Sequence, residues 1–356
     1  MLSAAELQRY SRHLLIPEFG VAGQERLKAA KVLVIGCGGL GSPVLLYLAA
    51  AGVGTIGLID NDTVDMSNLQ RQILYGTESV GKPKVTEAAQ RLRSLNPHVK
   101  IEPHHLYLTS QNALALFAPY DLIIDGSDNF PTRYLVNDAC VLLNKPFVYG
   151  AIYRFEGQVA IFNYQNGPHY RDLFATPPPL ELAPNCAEAG VLGVLPGMVG
   201  AIQANEAIKL LAQIGQPLTG RLFVIDALSL TTRIIQIPKL PNRPVISQLI
   251  DYEQFCAAPN LLQISPQTFR EWQQMDKDFQ LIDVREAHEY ASEHLGGALM
   301  PLSELEKHVA DIARHKLVVV YCQSGIRSQK AIELLQNQHG FDNLINLTGG
   351  INAVLR

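Results

Sequence analysis

The sequence predicts an α/β protein, with a doubly wound sheet that gains an antiparallel extension, followed by a second, smaller α/β domain. Three observations carry this. Near-continuous apolar strands, KVLVIG at 31–36 and TIGLID at 55–60, alternate with helical runs, as in a parallel sheet covered on both faces. After residue 154 the strands FEGQVAIFNY, RLFVIDA and TTRIIQI are longer and alternate in polarity, the pattern of antiparallel strands with one wet face. From 259 the alternation of strand and helix starts again and runs for roughly 100 residues, enough for an independent domain.

Taken in order, a glycine turn at 36–41 joins the first strand to the apolar helical run LGSPVLLYLAAAG, which with TIGLID makes a β-α-β unit. A helix over 82–95, strand DLIID, a helix over 132–143 and strand PFVYGAI repeat the alternation that defines a doubly wound core. The proline-rich loop ATPPPLELAPNC and a long apolar helix over 195–211 separate the later strands. These elements fill a first domain of residues 1–240. An aperiodic, proline-containing stretch, 241–258, reads as a linker. Within 259–356, ISPQTFREWQQM is a capped helix, QLIDVRE a strand end, KLVVVYC a buried strand, RSQKAIELLQNQ a helix and NLINLTGG the last strand.

A formal charge of −4 supplies no broad cationic field, so direct binding to nucleic acid or to an anionic membrane is not expected. No uninterrupted apolar stretch reaches the roughly 20 residues that span a bilayer. The five cysteines, Cys37, Cys140, Cys186, Cys256 and Cys322, are odd in number and widely spaced, which suits free thiols in a reducing compartment. A cytoplasmic protein is expected.

Gly36-Cys37-Gly38-Gly39-Leu40-Gly41 lies between a strand and a helix, where glycines let backbone amides approach phosphate at a helix N-terminus. Asp60 closes the next strand about 20 residues later, where a carboxylate accepts hydrogen bonds from ribose hydroxyls. Both features fit NAD as well as ATP. The cations that follow, Arg71 in NLQRQ and Lys84 in GKPK, favour a triphosphate attacked at its α-phosphorus, because that reaction needs developing negative charge to be held. Asp128, at the end of a later strand, is then a candidate magnesium carboxylate.

The segments RYSRHLLIPEFG, GCGGLGS, DNDTVDMSNLQRQILY, GKPK, DGSDNFPTRYLVND, EGQVAIF and CAEAGVLGVLPG resemble the ThiF/MoeB family of ubiquitin-activating-type adenylyltransferases, co-linearly over residues 5–240. That resemblance implies a Rossmann-like ThiF/MoeB fold and adenylation of a small ubiquitin-like sulfur-carrier protein ending in Gly-Gly. It places Gly36, Gly38, Gly39, Gly41, Asp60, Asp62, Asn68, Arg71, Gln72, Lys84, Asp128 and Asn129 around ATP and magnesium, with Arg12 reaching the nucleotide from the second subunit of a homodimer. Members of the family commonly hold a structural zinc on two C-x-x-C pairs. Those positions here are His169, Asp172, Arg243 and Ile246, so no structural zinc is expected. His169 then reads as a solvated loop histidine, and apolar packing is expected to hold the segment.

Cys322 ends KLVVVYC and is followed by QSGIRS, so that loop amides, a helix N-terminus and Arg327 favour a thiolate. With LIDVRE and HLGGALMPL upstream, residues 260–356 are similar to single-domain rhodaneses. The resemblance implies that Cys322 carries a persulfide taken from a persulfide or thiosulfate donor, with Asp283 and Arg285 as framework. Val354 stands where such domains often have tryptophan, which suggests looser C-terminal packing. Cys186 falls where related activating enzymes have a cysteine able to bond the carrier covalently. Cys37, Cys140 and Cys256 read as small apolar residues. The joint expectation is a carrier thiocarboxylate for molybdopterin, thiamine or cysteine synthesis or transfer-RNA thiolation. The alternatives are an NAD-dependent reductase with a regulatory second domain, or a non-catalytic scaffold for a ubiquitin-like partner.

Overall fold

The computed structural model describes residues 1–177, 190–241, 243, 245–256 and 262–355. The chain divides into two compact units, Met1–Cys256 and Ala257–Arg356. Among the described residues, no helix is long and apolar enough to cross a membrane.

In the first unit, helices α1 (Ala4–Arg9), α2 (Ser11–Leu14) and α3 (Gly20–Ala29) precede strand β1 (Lys31–Ile35). The wound part continues through α4 (Gly41–Ala51), β2 (Thr55–Ile59), α5 (Lys84–Leu95), β3 (Lys100–His104), α6 (Ala113–Phe117), β4 (Leu122–Asp125), α7 (Phe130–Leu142) and β5 (Phe147–Tyr153). Then come β6 (Glu156–Phe162), α8 (Tyr170–Leu173), α9 (Val194–Ala212), β7 (Arg221–Asp226), β8 (Thr231–Gln236) and α10 (Tyr252–Cys256). The sheet runs β3-β2-β1-β4-β5-β6-β7-β8. Neighbours from β3 to β5 are parallel, and those from β5 to β8 antiparallel.

Strand alternation builds a core on each face. Val32 and Val34 face one cluster with Leu45 and Leu48 of α4, whereas Leu33 and Ile35 face the other with Tyr134 and Leu135 of α7. Because β2 and β4 flank β1, chain direction across the sheet reverses there, and the ends of β1 and β4 open a crevice. Gly36 turns out of β1 with φ +87°, and a Cβ there would meet the Gly126 carbonyl oxygen at 3.0 Å. Helix α9 closes the floor, since Gln203 Nε2 donates to the Asp125 carbonyl at 2.8 Å.

The segment expected to carry no metal is organised by charge. His169 is buried at 2% exposure, not solvated, because it caps α8, with Nδ1 accepting the Arg171 N–H. Asp172 accepts from the His169 N–H at 2.8 Å, the Leu240 N–H at 2.9 Å and Arg243 Nη1 at 2.7 Å. Arg171 grips Asp138 of α7 in a bidentate pair at 2.9 and 2.7 Å, and the Tyr252 hydroxyl of α10 donates to Asp138 at 2.8 Å. The expectation of apolar packing is therefore corrected: the Arg243–Asp172 ion pair joins the later segment to α8, and the Tyr252 hydroxyl joins it to α7 through the Asp138 that Arg171 grips. A guanidinium among the four positions and an Asp172 carboxylate filled by donors do not suit Zn²⁺.

The second unit contains β9 (Leu262–Ile264), α11 (Pro266–Gln274), β10 (Gln280–Asp283), α12 (Ala287–Ser292), β11 (Ala298–Leu299), β12 (Val318–Tyr321), α13 (Ile326–His339), β13 (Leu344–Leu347) and α14 (Gly350–Val354). Its sheet is wholly parallel in the order β11-β10-β12-β13-β9. Val318 and Val320 pack on one face, and Val319 and Tyr321 on the other. The C-terminal packing is not loose, because Ile351 and Val354 join the second of these clusters.

Candidate functional sites

At the crevice of the first unit lies a cleft of about 350 Å³. Gly36, Gly38 and Gly39 line one side, with Asp60, Asp62, Arg71, Gln72 and Lys84 from the β2 side and Asp128 and Asn129 from the end of β4. Three expected residues do not line it. Gly41 serves the turn instead, since a Cβ there would lie 2.0 Å from the Gly36 carbonyl oxygen. Asn68 caps a short 3-10 turn, its Oδ1 accepting the Asp65 N–H at 3.0 Å. Arg12 is exposed on α2.

Burial pushes the Asp60 carboxyl up, but nearby Lys84 and the N–H groups of Cys37 and Asp62, at 2.8 and 2.9 Å from its oxygens, counteract that rise. Lys84, itself buried, donates to the exposed Asp62 carboxylate at 2.9 Å, which holds the ammonium at the rim. The Asp128 carboxylate is exposed and has no hydrogen-bond partner among the described residues, as an oxygen ligand for a hard cation should be. Asn129 caps α7 by accepting the Thr132 N–H at 2.9 Å. Two further groups went unnoticed in the sequence. Arg133 lines the cleft although it is only 8% exposed, and Asp125 lies fully buried behind it with Oδ1 accepting from Ser127. Charged residues inside the helix and strand that the motif DGSDNFPTR spans were the available signal.

In the second unit, Cys322 follows β12 and is buried, with Sγ accepting the Gly325 N–H at 3.2 Å and the Ser328 hydroxyl oxygen 3.5 Å away. Gly325 has φ +93°, which turns its amide toward the sulfur. The first N–H groups of α14 secure the same loop, Ile351 to the Cys322 carbonyl at 2.9 Å and Asn352 to the Gln323 carbonyl at 3.2 Å. Arg285, paired with Asp283, donates to Gln323 Oε1 at 3.0 Å and so acts on the loop from beneath. Arg327 is bound by Glu289 through two contacts of 2.6 Å, and that guanidinium is the main reason the Glu289 carboxyl falls to about 2. Glu289, Ser328 and Asn346 were missed. Asn346, a buried amide in the apolar strand LINL that accepts from Ser328, was the visible clue. Burial raises the thiols of Cys37 and Cys140, and that of Cys256 to about 12, consistent with packing roles. Cys186 lies outside the described residues.

Residues 10–245 match the ThiF family, and residues 265–356 match the rhodanese-like domain. The chain belongs to the ThiF family. Its ThiF part continues into a rhodanese-like part, as in relatives that align over nearly the whole chain. The probable adenylyltransferase/sulfurtransferase MoeZ of Mycobacterium tuberculosis is 48% identical, covering 99% of this chain and 93% of its own. The adenylyltransferase and sulfurtransferase MOCS3 of Sus scrofa is 41% identical, covering 99% and 86%. The sulfur carrier protein adenylyltransferase of Thermus thermophilus is 54% identical over 70% of this chain and 97% of its own. Among solved structures, PaaA is 25% identical with a TM-score of 0.58 over 67% of this chain and 76% of that one. Escherichia coli MccB, at 24% and a TM-score of 0.59 over 69% and 75%, shares the fold. This ThiF protein is an adenylyltransferase joined to a sulfurtransferase.

Proposed function

We propose that the first domain, residues 1–240, adenylates the C-terminal Gly-Gly carboxylate of a small ubiquitin-like sulfur-carrier protein, and that the rhodanese domain, 259–356, delivers sulfur to it. The observation that carries this reading is one cleft holding a glycine turn, a ribose-side carboxylate and two cations, in the same chain as a cysteine ringed by loop donors.

Gly36, Gly38 and Gly39 leave room for ATP phosphates at the start of α4, while Asp60 holds the ribose. Lys84 and Arg71 draw negative charge from the α-phosphorus as the carrier carboxylate oxygen bonds to it and the bond to pyrophosphate breaks. Asp128 would hold magnesium, which would screen the triphosphate. A persulfide on Cys322, loaded from thiosulfate or a persulfide donor, then attacks the acyl carbon and releases AMP. The acyl disulfide left on Cys322 is cleaved by a thiol reductant, with Cys186 as the candidate within the chain. The products are carrier thiocarboxylate and a disulfide that an external thiol must reduce.

Exposed apolar Leu15, Ile16 and Val21 beside Arg12 support a homodimer in which Arg12 serves the partner's nucleotide. The Asp172–Arg243 pair supports a first domain that folds without structural zinc. Free, buried cysteines support a reducing cytoplasmic setting. ATP–pyrophosphate exchange tests the reading: exchange should depend on a Gly-Gly-ended carrier. ATP binding without exchange, with every such carrier, would instead favour a scaffold.

A further inference from the structure

A buried guanidinium normally has several acceptors or a carboxylate partner, because an unpaired buried charge is strongly unfavourable. Arg133 departs from this. Among the described residues its only hydrogen bond runs from Nη2 to the Ser127 carbonyl, at the long distance of 3.5 Å, and its Nε has no partner. The Phe130 and Tyr149 rings, 5.3 and 5.8 Å from its guanidinium carbon, hold it in place without using its N–H groups. Asp125 and Asp128 act on it electrostatically, yet neither forms an ion pair with it among the described residues. The result is a rigid, desolvated cation with free donors on the wall of the nucleotide cleft.

Its position says which anion it serves. Across the cleft, Asp60 follows β2, the glycine turn follows β1, Asp128 follows β4, and Arg133 lies over Tyr149 of β5. The ribose-side carboxylate and Arg133 therefore stand at opposite ends, with the phosphate-binding turn between them. The phosphates already have Lys84 and Arg71 on the β2 side. The β5 end is left for the other anion of the reaction, the carboxylate that must lie in line with the α-phosphorus.

We propose that Arg133 binds the terminal carboxylate of the carrier and aims one of its oxygens at the α-phosphorus, an assignment that rests on the adenylation reading above. A guanidinium suits this task because its planar fork fits a carboxylate bidentately. No proton moves: the carboxylate oxygen bonds to phosphorus, pyrophosphate departs, and Arg133 stays cationic throughout.

The test uses the full-length protein, a carrier that wild type adenylates in ATP–pyrophosphate exchange, and the same carrier with a C-terminal carboxamide. Wild type should bind the carboxylate form about ten- to hundredfold more tightly than the carboxamide, the worth of a charge-assisted hydrogen bond. Arg133→Gln should lose that discrimination and raise the KM for carrier by a similar factor, with ATP affinity by equilibrium dialysis unchanged; Arg133→Lys should recover part of it. Unchanged discrimination in Arg133→Gln, or a loss of ATP affinity with carrier KM preserved, overturns the assignment. If wild type exchanges with no Gly-Gly-ended carrier, the adenylation reading falls and takes this assignment with it.

Discussion

Asp172→Ala isolates the ion pair that holds the positions of the family's zinc. The wild-type carboxylate is fully buried and accepts three hydrogen bonds, from the His169 and Leu240 N–H groups and from Arg243. Removing one partner of a buried pair costs about 3–5 kcal/mol. Arg243 is a quarter exposed and recovers water, so the low end, about 3 kcal/mol, applies. For a domain of this size that lowers Tm by roughly 6–12 °C, read by thermal unfolding at pH 7. Burial raises the Asp172 carboxyl, but the two N–H groups and Arg243 outweigh it, so the folded value lies below the ordinary 3.8. A depressed carboxyl contributes stability above its unfolded value and loses it as pH falls through the folded one. The difference between wild type and Asp172→Ala should therefore be full at pH 7 and shrink below about 3.8. EDTA should leave the wild-type Tm unchanged. An Asp172→Ala protein as stable as wild type, or a wild-type Tm that falls with chelator, would refute the reasoning.

The two activities should separate by mutation: Asp128→Ala should abolish AMP formation and keep thiosulfate sulfurtransferase activity, whereas Cys322→Ala should do the reverse. Gly350→Ala should lower sulfurtransferase turnover by as much as about a hundredfold, because its Cβ would lie 2.3 Å from the Cys322 carbonyl oxygen and displace the loop. Pyrophosphate exchange by that variant should match wild type. Alkylation with iodoacetamide under native conditions, located by peptide mass spectrometry, should label Cys37 and Cys140 only after unfolding, since both are fully buried.

The wound core was legible because strand polarity sets buried strands such as KVLVIG and DLIID apart from the helical runs between them; the helix expected over 132–143 starts at Phe130, where Asn129 caps it. The glycine turn and the Asp60 and Asp128 positions were legible because strand ends collect ligand groups, and Lys84, which opens α5, because a cation in GKPK suits a triphosphate. Arg133 was not, because a charged residue one helical turn past a cap usually faces water, and only the fold turns this one inward. The charge network around Asp172 escaped notice because its members, Asp138, Arg171, Arg243 and Tyr252, are far apart in sequence. Likewise, 38 residues separate Glu289 from Arg327. The segment 241–258 looked like a plain linker, but Tyr252–Cys256 forms a helix whose Tyr252 is buried against α7.

The most direct test of the central claim is mass spectrometry of a Gly-Gly-ended carrier after incubation with the protein, ATP, magnesium, thiosulfate and a thiol reductant. The account predicts that one terminal oxygen is replaced by sulfur, and that omitting ATP or replacing Cys322 with alanine prevents it. Sulfur appearing on the carrier without ATP, or with Cys322→Ala, would contradict the coupling of adenylation to transfer from that cysteine.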